Sequence, residues 1–220
     1  MPQFYSAVLT PTLTSGSANR GREFVERSAG AVCLVLAAPV LAGSAAVIAL
    51  LSGRSPFIAH RRVGQSGRDL WMLKLRTMWD RGAAKDNERG WVQRIQQDPE
   101  AAPKVPWDAR ICSRFAAFCR RHSIDELPQL WHVVRGDMAF VGPRPLTATE
   151  IDRQYASWSD QLLQVKPGLT GLWQVSGRST LTWEQRVHLD RQMVRTTDWK
   201  LYATLLLKTV GAILGGRGAW

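Results

Sequence analysis

The sequence predicts a mostly α protein with a small β element: a helix that enters the membrane, then a compact domain with amphipathic helices suited to the membrane interface. Three observations carry that class. Residues 29–51 are 23 consecutive positions without a charged side chain. Apolar residues recur at helical spacing over 111–119, 127–134, 151–165, 183–194 and 201–214. Only residues 57–78 read as a hairpin, with short apolar runs around Gly64 and Gly67. A chain of 220 residues buries one core, so one domain with attachments is expected.

Residues 1–21 are rich in Ser, Thr, Gly and Pro and read as a flexible tail. The apolar run starts too far into the chain, and is followed by too much positive charge, for a cleaved signal peptide. Residues 22–56 therefore form a membrane helix, and its course has two solutions. Twenty-three residues suffice to cross a hydrocarbon layer of roughly 30 Å at about 1.5 Å per residue. Pro39 divides the run into arms of 10 and 12 residues, each about half that thickness, which suits a helix that bends and returns. Arg20, Arg22 and Arg27 before the run and Arg54, His60, Arg61, Arg62 and Arg68 after it make both flanks basic. Positive charge therefore does not assign the ends to opposite sides, whereas a proline-kinked spanning helix also remains physically allowed.

The remaining residues, 57–220, form the catalytic candidate domain. After the hairpin, residues 79–108 are polar and punctuated by Gly82, Gly90, Pro99, Pro103 and Pro106, a loop with at most one short helix. The segment 201–214 is apolar but for Lys208 and suits either a helix lying in the interface or one packed on the core.

The net charge of +11 calls for a polyanionic partner. No helix-turn-helix, finger or RRM signature supports nucleic acid. The apolar run favours lipid, since each Lys or Arg near an anionic leaflet gains about 1 kcal/mol. Cys33, Cys112 and Cys119 are odd in number and lack a Cys-x-x-Cys pair, so neither a disulfide framework nor a zinc site is indicated. His60, His122, His132 and His188 have no metal-ligand spacing.

Chemistry concentrates in Arg120-Arg121-His122-Ser123-Ile124-Asp125-Glu126-Leu127-Pro128, followed by Arg135-Gly136-Asp137-Met138 and Val141-Gly142-Pro143-Arg144-Pro145. An acid pair among arginines suits phosphate chemistry. Carboxylate attack on phosphorus needs an ionised oxygen and neutralisation of phosphoryl charge, commonly by a divalent ion on another carboxylate. Asp125 and Glu126 can divide those roles. A structural alternative stands beside this: Ser123-x-x-Glu126 matches a capping box, and Asp125 and Pro128 suit a first helical turn. Pro143-Arg144-Pro145 fixes an arginine between two residues of restricted φ, which preorganises a phosphate ligand. The stretch from Lys166-Pro167-Gly168 to Ser176-Gly177-Arg178 joins turn glycines to two cations, and a solvated turn is its bland alternative.

Taken together, these strings resemble the bacterial sugar transferase family, the small monotopic polyprenyl-phosphate phosphoglycosyl transferases. The resemblance covers residues 22–219 and is strongest in Lys74-Leu75-Arg76-Thr77-Met78, the Ser123 to Leu130 block, Arg135-Gly136-Asp137-Met138, the Pro143-Arg144-Pro145 turn, and the Lys166 and Trp173 motifs. It implies that the Asp matching Asp125 attacks the β-phosphate of a UDP-sugar, expels UMP and carries a phosphosugar that polyprenyl phosphate, undecaprenyl phosphate in particular, then accepts. Glu126 corresponds to the family's Mg2+-associated acid, and Arg76, Arg120, Pro143, Arg144, Pro145, Lys166 and Arg178 fall on substrate-binding positions. The family's membrane helix is re-entrant and bent at a Ser-Pro pair, placing the catalytic domain on the cytoplasmic face of the bacterial inner membrane; the expected partners are UDP-sugar, polyprenyl phosphate and the bilayer, with pairing to a second copy open. The implied setting is exopolysaccharide or glycoconjugate assembly.

The chain departs from that pattern in places. Ala38 precedes Pro39 where the family has serine, Glu26 stands where many members have Asp, His132 replaces a frequent Asn, and Met193 falls where Tyr is common. No set of helices precedes the unit as in larger relatives, so the chain resembles the minimal form. Two rivals remain: a non-catalytic basic membrane adaptor and a Mg2+-dependent phosphohydrolase.

Overall fold

The computed structural model describes residues 16–79, 91–96, 111, 113–177, 180–196 and 198–215. Helix α1, Gly16–Ser52, runs 37 residues and includes Pro39. It is long and apolar enough to cross a membrane. It starts at Gly16, six residues before position 22. Pro39 withholds one N–H from the carbonyl of Val35, yet the helix continues through it.

One stripe of α1 faces the domain. Gly30, Ser44, Ala45 and Ile48 are buried, and Leu34, Ala37 and Leu41 fill the intervening turns at spacings of three and four. Val32, Val35, Leu36, Val40 and Leu50 point outward, exposed. Gly30 permits a close approach: a Cβ there would lie 3.0 Å from Cγ1 of Val133.

Strands β1, Phe57–Val63, and β2, Asp69–Leu75, form the expected hairpin, paired antiparallel from Phe57↔Leu75 to Val63↔Asp69. A third strand, β3, Val92–Ile95, joins β1 in parallel, giving the order β2-β1-β3. Its alternating Val92, Gln93, Arg94, Ile95 lies within a segment expected as loop, where polar neighbours mask a four-residue strand. Helix α2, Arg114–Arg121, is capped by Ser113, whose hydroxyl accepts from the Ala116 N–H at 2.9 Å. A 3-10 segment, Ile124–Gln129, leads directly into α3, Leu130–Arg135.

Strand β4, Ala139–Val141, pairs in parallel with β5, Gly168–Thr170. Between them α4, Ala148–Glu150, starts at a Thr147/Glu150 capping box. A π turn, Ile151–Tyr155, and a 3-10 turn, Ala156–Trp158, connect it to α5, Ser159–Gln164. The segment after Lys166, for which a solvated turn was the alternative, instead contributes β5 and α6, Leu172–Ser176. Helices α7, Trp183–Thr196, and α8, Trp199–Gly215, complete the described elements.

Buried apolar residues gather in several clusters, two of which share Phe140 of β4. Leu146, Ile151, Tyr155, Trp158 and Leu162 pack with Trp183 and Val187 of α7. Val141, Met193, Tyr202 and Leu205 join α7 and α8 to β4. On the α1 side, Ala45, Ile48 and Leu75 pack with Phe57, Phe115 and Ile124. The buried face of α8 thus belongs to the core, while Leu207 and Val210 remain exposed.

Candidate active site

The acid pair sits where the chain reverses. After α2, Ser123 takes a left-handed conformation at φ 54°, and the 3-10 segment opens on Ile124. The Glu126 N–H donates to the Ser123 carbonyl at 3.1 Å, and the Ser123 side chain makes no cap bond. Backbone geometry therefore closes this turn, and the capping-box alternative is not adopted: the Glu126 carboxylate points to cations instead.

Lys74 at the end of β2 approaches Glu126 Oε1 to 2.9 Å, and Arg144 approaches the same oxygen to 3.6 Å. Arg120, from the last turn of α2, lies 3.4 Å from the Thr77 hydroxyl. Asp125 is only 8% exposed. Its burial and the neighbouring Glu126 charge push its pKa up to about 6, an effect that Lys74 and Arg120 oppose. Elements distant in sequence thus converge on two adjacent carboxylates. The arrangement holds an acid at the border of ionisation near neutral pH, beside cations able to receive phosphate oxygens.

The other expected site residues divide. Pro143 and Pro145 are buried and Arg144 is half-buried between them. Gly142 explains the turn's position, because a Cβ there would meet the Lys166 carbonyl oxygen at 2.5 Å where β4 and β5 cross closely. The Pro143 carbonyl accepts from the Gly168 N–H at 2.8 Å. Lys166 pairs with Glu23 of α1 at 2.8 Å, which ties the helix to the loop before β5. Arg76 is buried, and its Nε donates to the Ser55 carbonyl at 2.7 Å while a terminal nitrogen reaches Gln93. This ties the linker between α1 and β1 to β3. Arg178 lies outside the described residues.

Among the described residues no cluster of three or more His, Cys, Asp or Glu could hold a metal by itself. Asp125 and Glu126 fit the habit of Mg2+, which commonly takes one or two carboxylates and completes its shell with water and substrate phosphates. Asp125 and Glu126 are therefore the residues that could hold Mg2+, with Glu126 paired to Lys74 and Arg144 here.

The sequence profile described as bacterial sugar transferase matches residues 18–216. The chain belongs to the bacterial sugar transferase family. It is 37% identical over 198 residues to an exopolysaccharide production protein of Rhizobium meliloti, covering 87% of this chain and 84% of that one. It is 40% identical over 176 residues to a UDP-galactose-lipid carrier transferase of Erwinia amylovora, covering 76% of this chain but 35% of that protein. Similarity to an undecaprenyl-phosphate galactose phosphotransferase of Salmonella typhimurium is 32% over 229 residues, covering 99% of this chain and 46% of that protein. The chain thus spans less than half the length of the Erwinia and Salmonella relatives.

Two groups in this family member were not singled out from sequence. Lys74 was visible within the Lys74-Leu75-Arg76 string, but two cations on one strand end do not disclose which reaches the acids. The second is a buried acid beside Tyr155 in the core. Asp190 of α7 is fully buried and accepts from the Tyr155 hydroxyl at 2.8 Å. Burial pushes its pKa up to about 7, opposed by the hydrogen bond from Tyr155. The π turn delivers Tyr155 to this acid, and no local sequence signal marks a π turn.

Proposed function

We propose that this sugar transferase moves a sugar 1-phosphate from a UDP-sugar to a membrane polyprenyl phosphate through a covalent aspartyl intermediate. The observation that carries the reading is the buried Asp125 beside Glu126, with Lys74, Arg120 and Arg144 gathered round the pair. An ionised Asp125 oxygen forms a bond to the β-phosphorus of the donor, and the bond from that phosphorus to the bridging oxygen breaks. UMP departs with the bridging oxygen and its electron pair. A polyprenyl phosphate oxygen then attacks the same phosphorus, releasing the Asp125 carboxylate and forming the lipid-linked diphosphate sugar. Arg144 and Arg120 orient the phosphoryl oxygens and offset their charge. Lys74 holds Glu126 in place and favours ionised Asp125. Mg2+, held by Glu126 with Asp125 nearby, supplies further neutralisation of phosphate charge when bound.

In this reading α1 is a re-entrant helix bent at Pro39, and the catalytic domain faces the cytoplasm at the inner membrane of a bacterium. Support comes from both ends of the apolar run resting on one domain. Arg27 Nε donates to the Val134 carbonyl at 2.9 Å and Gly30 touches Val133, while Ala45 and Ile48 pack with Leu75 farther along. A helix crossing the bilayer separates its ends by roughly 30 Å of hydrocarbon. Relatives named for exopolysaccharide production and undecaprenyl-phosphate galactose transfer support the acceptor class and the role in glycan assembly.

The test is UMP release by the purified protein in nanodiscs, with a panel of UDP-sugars, with Mg2+ or a chelator, and with or without polyprenyl phosphate. Donor-selective UMP formation that needs Mg2+ and yields lipid-linked product is expected. Free sugar phosphate as the main product, independent of lipid, would instead identify a phosphohydrolase.

A further inference from the structure

Lys74, the cation that meets Glu126, sits on a strand with a free side. β2 ends the sheet order β2-β1-β3, so alternate N–H groups of β2 turn away from the sheet and need partners elsewhere. The N–H of Leu73, the residue before Lys74, finds one in α3: it donates to His132 Nε2 at 3.2 Å. His132 is 5% exposed, and α3 follows directly on the 3-10 segment that carries Asp125 and Glu126. Strand and segment are therefore tied at two successive residues, Leu73 to His132 through the main chain and Lys74 to Glu126 at 2.9 Å through the side chain. Apolar packing leaves the strand's register less defined. Leu70 of β2 packs with Val133 and Met138, and such contacts are non-directional, whereas a hydrogen bond fixes distance and angle.

The ring is held from its other side by the Arg135-Gly136-Asp137-Met138 turn, a string the reaction itself leaves unused. Gly136 takes φ 83° at the end of α3, and the chain reverses so that the Asp137 and Met138 N–H groups donate to the His132 carbonyl at 2.9 and 3.1 Å. The Asp137 carboxylate then stands 3.6 Å from His132 Nδ1 and 3.1 Å from Arg135 Nε. At 3.6 Å the contact to the ring is Coulombic rather than a hydrogen bond. Because Nε2 accepts, the proton of the neutral ring belongs on Nδ1, facing that carboxylate. Burial lowers the His132 pKa and so favours the neutral form, against attraction from Asp137. We infer that His132 is a positioning residue for the reaction: with its ring set by Asp137, it fixes the end of β2 so that the Lys74 ammonium meets Glu126, and through that pair it aligns the Glu126 carboxylate beside Asp125. A cation already seated on a carboxylate needs no rearrangement when phosphate arrives. Slack of about 0.5 Å, the tolerance of a working site, would pass directly from Leu73 to Lys74.

This inference rests on the UDP-sugar reading, and two measurements keep their failures apart. The first is a double-mutant cycle on the kinetics of UMP release by full-length protein in nanodiscs at about pH 8, where His132 is neutral and Asp125 ionised. It compares the parent, His132→Leu, His132→Gln and Lys74→Met, with each His132 change also combined with Lys74→Met. Leucine removes the acceptor, whereas the glutamine carbonyl oxygen falls near the place of Nε2. The expected result is a loss of kcat on the order of tenfold in His132→Leu with little change in donor KM, mostly recovered in His132→Gln. Adding His132→Leu to Lys74→Met should cost less than about twofold more. A loss as large in Lys74→Met as in the parent, parent kcat in folded His132→Leu, or no recovery in folded His132→Gln overturns the assignment and leaves the reaction standing. The second measurement needs no turnover: the rate at which acetic anhydride labels Lys74, relative to Lys208 of α8, read by peptide mass spectrometry well below the unfolding temperature. Labelling of Lys74 should rise several-fold in His132→Leu and in Asp137→Ala, which keeps the backbone bonds of the turn should His132→Leu fail to fold. Equal labelling in parent and variants overturns the assignment. A parent that releases no UMP from any UDP-sugar removes the reaction, and the labelling then decides alone whether His132 holds Lys74.

Discussion

Lys74→Met separates the electrostatic account of the acid pair from a merely structural one. Lys74 and Glu126 lie 2.9 Å apart with side chains 16% and 25% exposed, so their attraction is only partly screened by water. Removing one partner of such a charge-assisted contact costs about 1.5–3 kcal/mol. If that interaction matters in the transition state, kcat/KM falls roughly tenfold to a hundredfold. The variant also loses a charge that favours ionised Asp125, whose pKa stands at about 6. The nucleophile needs the ionised form, so activity in the parent falls as pH drops through about 6. In Lys74→Met this acid limb moves to higher pH. The assay is initial UMP release between about pH 5 and pH 9, with unfolding followed at each pH. An acid limb at the same pH in parent and folded variant would refute the role assigned to Lys74.

Gly30→Leu should weaken the seat of α1 on α3, since even a Cβ meets Val133 at 3.0 Å; overpacking of this kind costs about 1–3 kcal/mol and appears as a lower unfolding temperature in detergent. Tyr155→Phe should destabilise the fold by about 1–3 kcal/mol, because Asp190 loses its 2.8 Å donor while still buried, and chemical denaturation measures it. His132 is buried, accepts the Leu73 N–H at Nε2, and has its pKa lowered by burial. Protonation therefore favours the unfolded chain: stability present above about pH 6.5 declines as pH falls below it. Protonation of Asp125, with its raised pKa, acts in the opposite direction, so the His132 contribution is read as the difference between parent and His132→Asn melting curves, which should converge as pH falls.

Patterns that the sequence repeats were legible, and those that need a tertiary partner were not. The uncharged run and the β1–β2 hairpin announce themselves through composition and alternation, and α7 through its apolar period. Strand β3 is four residues long and draws its register from β1, so its own residues carry little signal. Glycine spacing in Gly168 and Gly171 suggested turns, although its cause is the close crossing with Gly142 that forms β5 and launches α6. At the site, adjacency marked Asp125 and Glu126, and proline marked Arg144. Arg76 and Lys74 share a strand end, yet only the folded hairpin reveals that one anchors Ser55 and the other meets Glu126. Arg186 lies over two indoles: it shares α7 with Trp183, three residues before it, but its second indole, Trp173, comes from α6 and left no local mark.

The central claim is that Asp125 becomes covalently linked to the phosphosugar. Its most direct test is intact-protein and peptide mass spectrometry after incubation with UDP-sugar and Mg2+ in the absence of polyprenyl phosphate. A phosphosugar adduct on the peptide containing Asp125, discharged when polyprenyl phosphate is added and absent from Asp125→Asn, is the predicted result. Lipid-dependent UMP release by Asp125→Asn at the parent rate, with no adduct on either protein, would contradict it.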